Sequence, residues 1–212
     1  MSKLTRVILG GLIASLALGA AVGTASARRL AMSENHFLAH FSSLTFVAGE
    51  FRIACAVSIE GSFHERTLEK VVRSLIGYIS EVRVKRPCSG GEAWALTAQE
   101  GRAETLPWHI LYERFIGALP NITGIEVTLD NAAFLVNVIG VNCLYKASTT
   151  SPMRGIINRE RLGKATGLRA NETSPIPKFE GSGFCPTTGT LRGEAIVGTQ
   201  VGYREITVTL VA

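Results

Sequence analysis

Between Phe51 and Glu60 every second residue is apolar. Phe51, Ile53, Cys55, Val57 and Ile59 share one face of an extended chain, and Arg52, Ser58 and Glu60 share the other. Side chains of a strand alternate between two faces, so this rhythm predicts a strand with one face buried. A helix would spread the same residues around its circumference. The rhythm returns near the end of the chain, where Ile206, Val208 and Leu210 alternate with Thr207, Thr209 and Val211.

Other stretches read the same way. Strands are expected near 75–85, over Ala93–Ala98, Pro107–Ile116 and Ile122–Leu129, and as one long return from Ala133 to Tyr145. Thr190–Val197 and Tyr203–Val211 read as the last two. Asp130-Asn131 and Leu119-Pro120-Asn121 carry turn chemistry between them. One segment is ambiguous. Ser62-Phe63-His64-Glu65 fits a helix-capping box, and Leu68, Val71, Val72 and Leu75 recur at helical spacing, so a short helix or turn is expected near 63–73. Residues 28–42 are expected as an N-terminal arm. Residues 43–212 then form a single β-rich domain, with a long loop region at 147–189, rich in Ser, Thr, Pro, Gly and Asn, that has room for one weak strand or short helix near 154–162. The pattern predicts an all-β fold, an antiparallel sandwich or barrel, with room for one or two short helices. The β–α–β rhythm of a parallel sheet is absent.

The first 27 residues have the layout of a secretion signal. Lys3 and Arg6 precede an uncharged apolar run from Val7 to Gly23, and Ala25-Ser26-Ala27 supplies the small residues a signal peptidase requires. Cleavage is expected between Ala27 and Arg28, which makes the mature chain secreted. A retained anchor is the rival reading, but a spanning helix needs about 20 apolar residues and this run is short. The longest later apolar run, Ala132–Val141, is shorter still, so no transmembrane segment is expected in the mature chain.

Export decides how the four cysteines are read. Cys55, Cys88, Cys143 and Cys185 would sit in an oxidising compartment, and their number is even, so two disulfides are expected. Three connectivities are possible. Pairing sequence neighbours gives Cys55–Cys88 and Cys143–Cys185. Each bridge would restrict the unfolded chain by roughly 3–4 kcal/mol. With no Cys-x-x-Cys or His-Cys pair, no metal site is expected.

Composition excludes more than it assigns. Taking Lys3 and Arg6 from a net charge of +5 leaves +3, and the arginines are scattered, so no nucleic-acid partner is expected. Asp130 is the only aspartate, which argues against calcium loops. No phosphate-binding loop, dinucleotide fingerprint or nucleophile elbow is present, so neither a cofactor nor a catalytic residue is assigned.

Four residues remain as ligand-binding candidates: Trp108, Tyr112, His109 and His64. On a strand Trp108 and Tyr112 share a face. If exposed they would make a stacking platform for a glycan, and if buried they are core. His109 and Glu113 would share the opposite face, and His64 adjoins Glu65. His36 and His40 stand four apart, within a segment expected to be a mobile arm.

Several strings occur together: Gly61-Ser62-Phe63-His64, Leu106-Pro107-Trp108-His109, Leu119-Pro120-Asn121-Ile122-Thr123-Gly124-Ile125, Cys143-Leu144-Tyr145 and Phe184-Cys185-Pro186. In these the chain resembles secreted β-rich proteins of high-GC Gram-positive bacteria. The resemblance implies export and a disulfide-stapled β-fold, and brings no activity with it. The leading expectation is a non-enzymatic β-sandwich, secreted or associated with the cell envelope. Its partner would be a glycan, a cell-wall component or another envelope protein. The alternatives are a hydrolase with a dispersed site at His64 or His109, and a small-ligand carrier.

Overall fold

The computed structural model describes residues 29–68, 71–96, 105–118, 121–162, 165–170 and 174–211, so the expected leader at 1–27 lies outside the described residues. Among the described residues there is no helix, and fifteen strands follow one another. The first five are β1 (Arg29–Met32), β2 (His36–Ala48), β3 (Phe51–Phe63), β4 (Thr67–Leu68) and β5 (Leu75–Ser89). Next come β6 (Glu92–Ala95), β7 (Trp108–Ala118), β8 (Asn121–Asp130), β9 (Ala133–Val138) and β10 (Val141–Lys146). The last are β11 (Met153–Leu162), β12 (Ala165–Ala170), β13 (Ile176–Gly181), β14 (Thr188–Gly198) and β15 (Val208–Val211).

Eight of these strands form a ring in the order β2-β3-β5-β7-β8-β11-β12-β14. Every neighbouring pair is antiparallel. The ring closes where Gly167 to Ala170 of β12 pair with Ile196 to Gly193 of β14. Of the two expected architectures, this is the barrel. Closure leaves none of the eight with an open edge, the feature that makes isolated sheets aggregate.

The alternation in the sequence is what fills the barrel. Ile53, Cys55, Val57 and Ile59 of β3 are all buried, as are Phe37, Ala39 and Phe41 of β2. On β2 the phase then changes: Leu44, Phe46 and Ala48 carry the buried face onward. A bulge makes this possible, with Phe41 opposite Val57 and Leu44 opposite Cys55. Ser42 and Ser43 both face solvent there. The extra residue re-aims the strand and restores the inward set.

Two further sets of strands complete the core. In one, β13, β10, β9 and β6 lie side by side and continue the barrel's sheet through the pairing of β13 with β14. Its Ala93, Phe134 and Val136 pack on inward residues of the barrel such as Phe46 and Val57. The ring of Trp108 meets that of Phe134 edge-on, with centroids 5.2 Å apart. In the other, β1 lies between β15 and β4. Met32, Leu68 and Ile206 carry this sheet's side of the core.

Both disulfides have the expected pairing, Cys55–Cys88 and Cys143–Cys185, and no described cysteine is free. The first joins neighbouring barrel strands β3 and β5. The second ties β10 to the turn after β13.

Three expectations need correction, and one resolves to one of its two alternatives. Residues 29–32 and 36–48 are strands, so the N-terminal segment is part of the sheets and not an arm. Of the two alternatives for 63–73, a short helix or a turn, the described part shows bends and a turn and no helix. Val71, Val72 and Leu75 are exposed, so their helical spacing served no buried stripe. Residues 147–189 contain three strands and not one: β11 lies where a weak strand or short helix is expected, and β12 and β13 add to it, with β11 and β12 held extended by their barrel neighbours. The long return from Ala133 to Tyr145 is a hairpin, turning at Ile139-Gly140.

Candidate functional site

The barrel interior contains a cavity of about 70 Å³. Phe37, Ile59, Ile110, Val127, Met153 and Val197 are among its walls, and Met32 of β1 and Phe134 of β9 face it from outside the ring. All these side chains are apolar, because the inward set of each strand is apolar. Drug-sized pockets hold a few hundred Å³, so the space as it stands suits a molecule of only a few heavy atoms. Met32 and Met153 are unbranched and adjust more readily than the other walls. An apolar void of this kind stays dry. Left empty, 70 Å³ costs about 2 kcal/mol of stability, which a bound apolar molecule would offset. Arg154 also borders the space, but its guanidinium is bonded to Glu126; the other side chains of the wall are apolar and cannot move a proton or polarise a bond. They select by size and shape.

The aromatic candidates belong to the core. Trp108 is fully buried, and its indole Nε1 donates to Thr105 Oγ1 at 2.9 Å. Tyr112 is also buried, with its ring edge-on to Phe115 at 5.1 Å. Burial pushes the Tyr112 phenol above its ordinary range. The two rings do share a strand face, as their spacing predicts. That face points inward, so the glycan platform is withdrawn.

The histidine candidates are exposed and stand apart from the cavity. His64 lies against the ring of Tyr78, with centroids 5.8 Å apart, and His109 sits opposite Asp130 in the β7–β8 register. Neither imidazole makes a hydrogen bond to a carboxylate or hydroxyl of the described residues. The expected partnership of His109 with Glu113 fails because a bulge falls between Tyr112 and Arg114. It sets Arg114, not Glu113, opposite Glu126. His36 and His40 stand on β2, and His40 Nδ1 lies 3.1 Å from Ser58 Oγ. Among the described residues no three His, Cys, Asp or Glu gather as a metal set would.

The most organised polar group was not among the candidates. Glu126 of β8 faces away from the cavity, yet its side chain is only 4% exposed. Arg114 Nε donates to Oε2 at 2.6 Å, and Arg154 Nη1 donates to Oε1 at 3.0 Å. Burial pushes the carboxyl up, but the two guanidiniums outweigh it and hold Glu126 below the usual carboxylate range. Further along the same strand, Asp130 approaches Arg73 at 4.0 Å. Period two places Glu126, Thr128 and Asp130 on one face. Nothing in the spacing says that neighbouring strands would cover that face.

No family model, curated protein or solved structure matches the chain.

Proposed function

We propose that the mature protein is an exported, non-enzymatic carrier that holds a small apolar molecule inside its barrel. The observation that carries this reading is the cavity: a space inside a closed barrel, walled by apolar side chains with Arg154 at its border. Two disulfides suit an oxidising compartment, and among the described residues no helix is long and apolar enough to cross a membrane. The leader-like first 27 residues and the likeness to secreted proteins of high-GC Gram-positive bacteria point the same way. The cell envelope is the proposed place of action.

The test is binding of benzene and xenon to the mature protein, followed by NMR. Saturable binding that Val127→Phe removes, with the fold retained by circular dichroism, is the expected result. Absence of saturable binding by benzene, xenon and hexane alike would sink the carrier reading.

A further inference from the structure

The turn that leads from β4 into β5 presents Val71 and Val72 to solvent, 55% and 60% exposed, with Leu75 about half exposed beside them. Arg73 lies between them at a φ of +65°. Long L side chains rarely adopt that backbone region, so the neighbours must hold it. They do. Arg73 N–H donates to the Tyr112 carbonyl at 2.7 Å, and Tyr112 N–H donates to the Ser74 carbonyl at 3.0 Å. The Arg73 guanidinium donates to the Thr149 carbonyl at 3.1 Å.

Next to this turn, across β7, β8 and β11, stands the Glu126 cluster. Charge there is layered. The carboxylates lie beneath: Glu126 and Asp130 are at most a tenth exposed, and Glu113 Oε2 is buried. The guanidiniums lie on top: Arg73, Arg114 and Arg154 are 42%, 71% and 39% exposed. Three acids balance three cations in number, so long-range attraction is small. At contact distance the layering decides, because an approaching group meets the cations first. Arg114 uses only its Nε on Glu126, and Arg154 only its Nη1, so each keeps N–H donors for a second acceptor. Planar guanidinium donors fit phosphate oxygens.

From this arrangement we propose that the 71–75 turn, with Arg73, Arg114 and Arg154, docks the protein on an anionic phospholipid surface. The aliphatic side chains enter the region between headgroups and acyl chains, and the guanidiniums bond the phosphates. A lipid surface supplies anionic oxygens and an apolar layer side by side, which is the pairing the patch offers. The exposed apolar residues are Val and Leu. The aromatic anchors that dominate protein–protein hot spots are not among them.

The test is co-sedimentation of the mature protein with vesicles of phosphatidylcholine alone or mixed with phosphatidylglycerol. Binding to the mixed vesicles, at least tenfold tighter than to phosphatidylcholine, is expected. Val71→Ser with Val72→Ser should weaken it about tenfold, and Arg114→Gln about threefold. Both valines are exposed, so the double variant should keep the parent's thermal midpoint. No sedimentation with mixed vesicles overturns the proposal and leaves the patch to an acidic protein. Variants that bind as the parent does overturn it equally. Arg154 borders the cavity as well, but Val71, Val72, Arg73 and Arg114 do not line it, so a protein that binds vesicles but not benzene keeps this proposal and loses the carrier reading.

Discussion

Arg114 Nε donates to Glu126 Oε2 across 2.6 Å, from a guanidinium 71% exposed to a carboxylate 4% exposed. The pair joins water to the barrel wall. The folded state holds Glu126 ionised more strongly than the unfolded chain does, so the unfolded chain binds its proton more readily. The contribution to stability is therefore present above the unfolded pKa and lost as pH falls through the lower, folded one. Denaturant midpoints followed downward from neutral pH should show that loss in the parent. Glu126→Gln should show less of it, and should cost about 1–3 kcal/mol at neutral pH. An unchanged acid profile would mean the pair does not set it.

The two disulfides close loops of similar size, with sequence separations of 33 and 42. In the chain-entropy picture they stabilise by about 3–4 kcal/mol each and differ by only a few tenths. Cys55→Ser with Cys88→Ser, and Cys143→Ser with Cys185→Ser, should lower stability to similar extents in urea titrations of the mature protein. A large gap between the two would place the difference in the native state.

Trp108→Ala should cost about 3–5 kcal/mol, because the indole is fully buried and fills space against Phe134. Trp108→Phe should cost less, since it keeps most of the volume and loses the hydrogen bond to Thr105. Glycan arrays probed with parent and Trp108→Phe should give the same pattern. Loss of a glycan signal in the variant would restore the aromatic platform.

Ile139 turns the β9–β10 hairpin at a φ of +51°, followed by Gly140 at +79°, and its side chain is exposed. Two positive φ angles are the hairpin geometry that favours Asn-Gly, and a β-branched residue there is strained. Ile139→Asn should raise stability by about 1 kcal/mol, read as an upward shift of the thermal midpoint.

The same turn explains why part of the fold was hidden in the sequence. With Ile where Asn is usual, Ala133 to Tyr145 reads as one apolar run, and the hairpin inside it carries no turn signal. Residues 147–189 misled in the opposite sense. Their Ser, Thr, Gly and Pro content looks like loop, but β11 and β12 are held by neighbours on both sides, and pairing can outweigh weak propensity. At the candidate site the spacing of Trp108 and Tyr112 correctly put both on one face. Which face looks inward depends on the closure of the ring, which joins strands far apart in the chain.

By itself the amino-acid sequence determined the strands with strong alternation, the all-β class and an expectation of two disulfides, while the structure chose the pairing between sequence neighbours from three possibilities. These rest on local rules, since the period of a strand and the parity of cysteines need no distant partner. Tertiary structure alone decided that the sheet closes between β12 and β14, that Trp108 and Tyr112 are core, and that a cavity remains inside the barrel. It also decided that Glu126 is buried between two arginines. Those outcomes depend on bulges that shift register by one residue, and on contacts between strands that lie far apart along the chain.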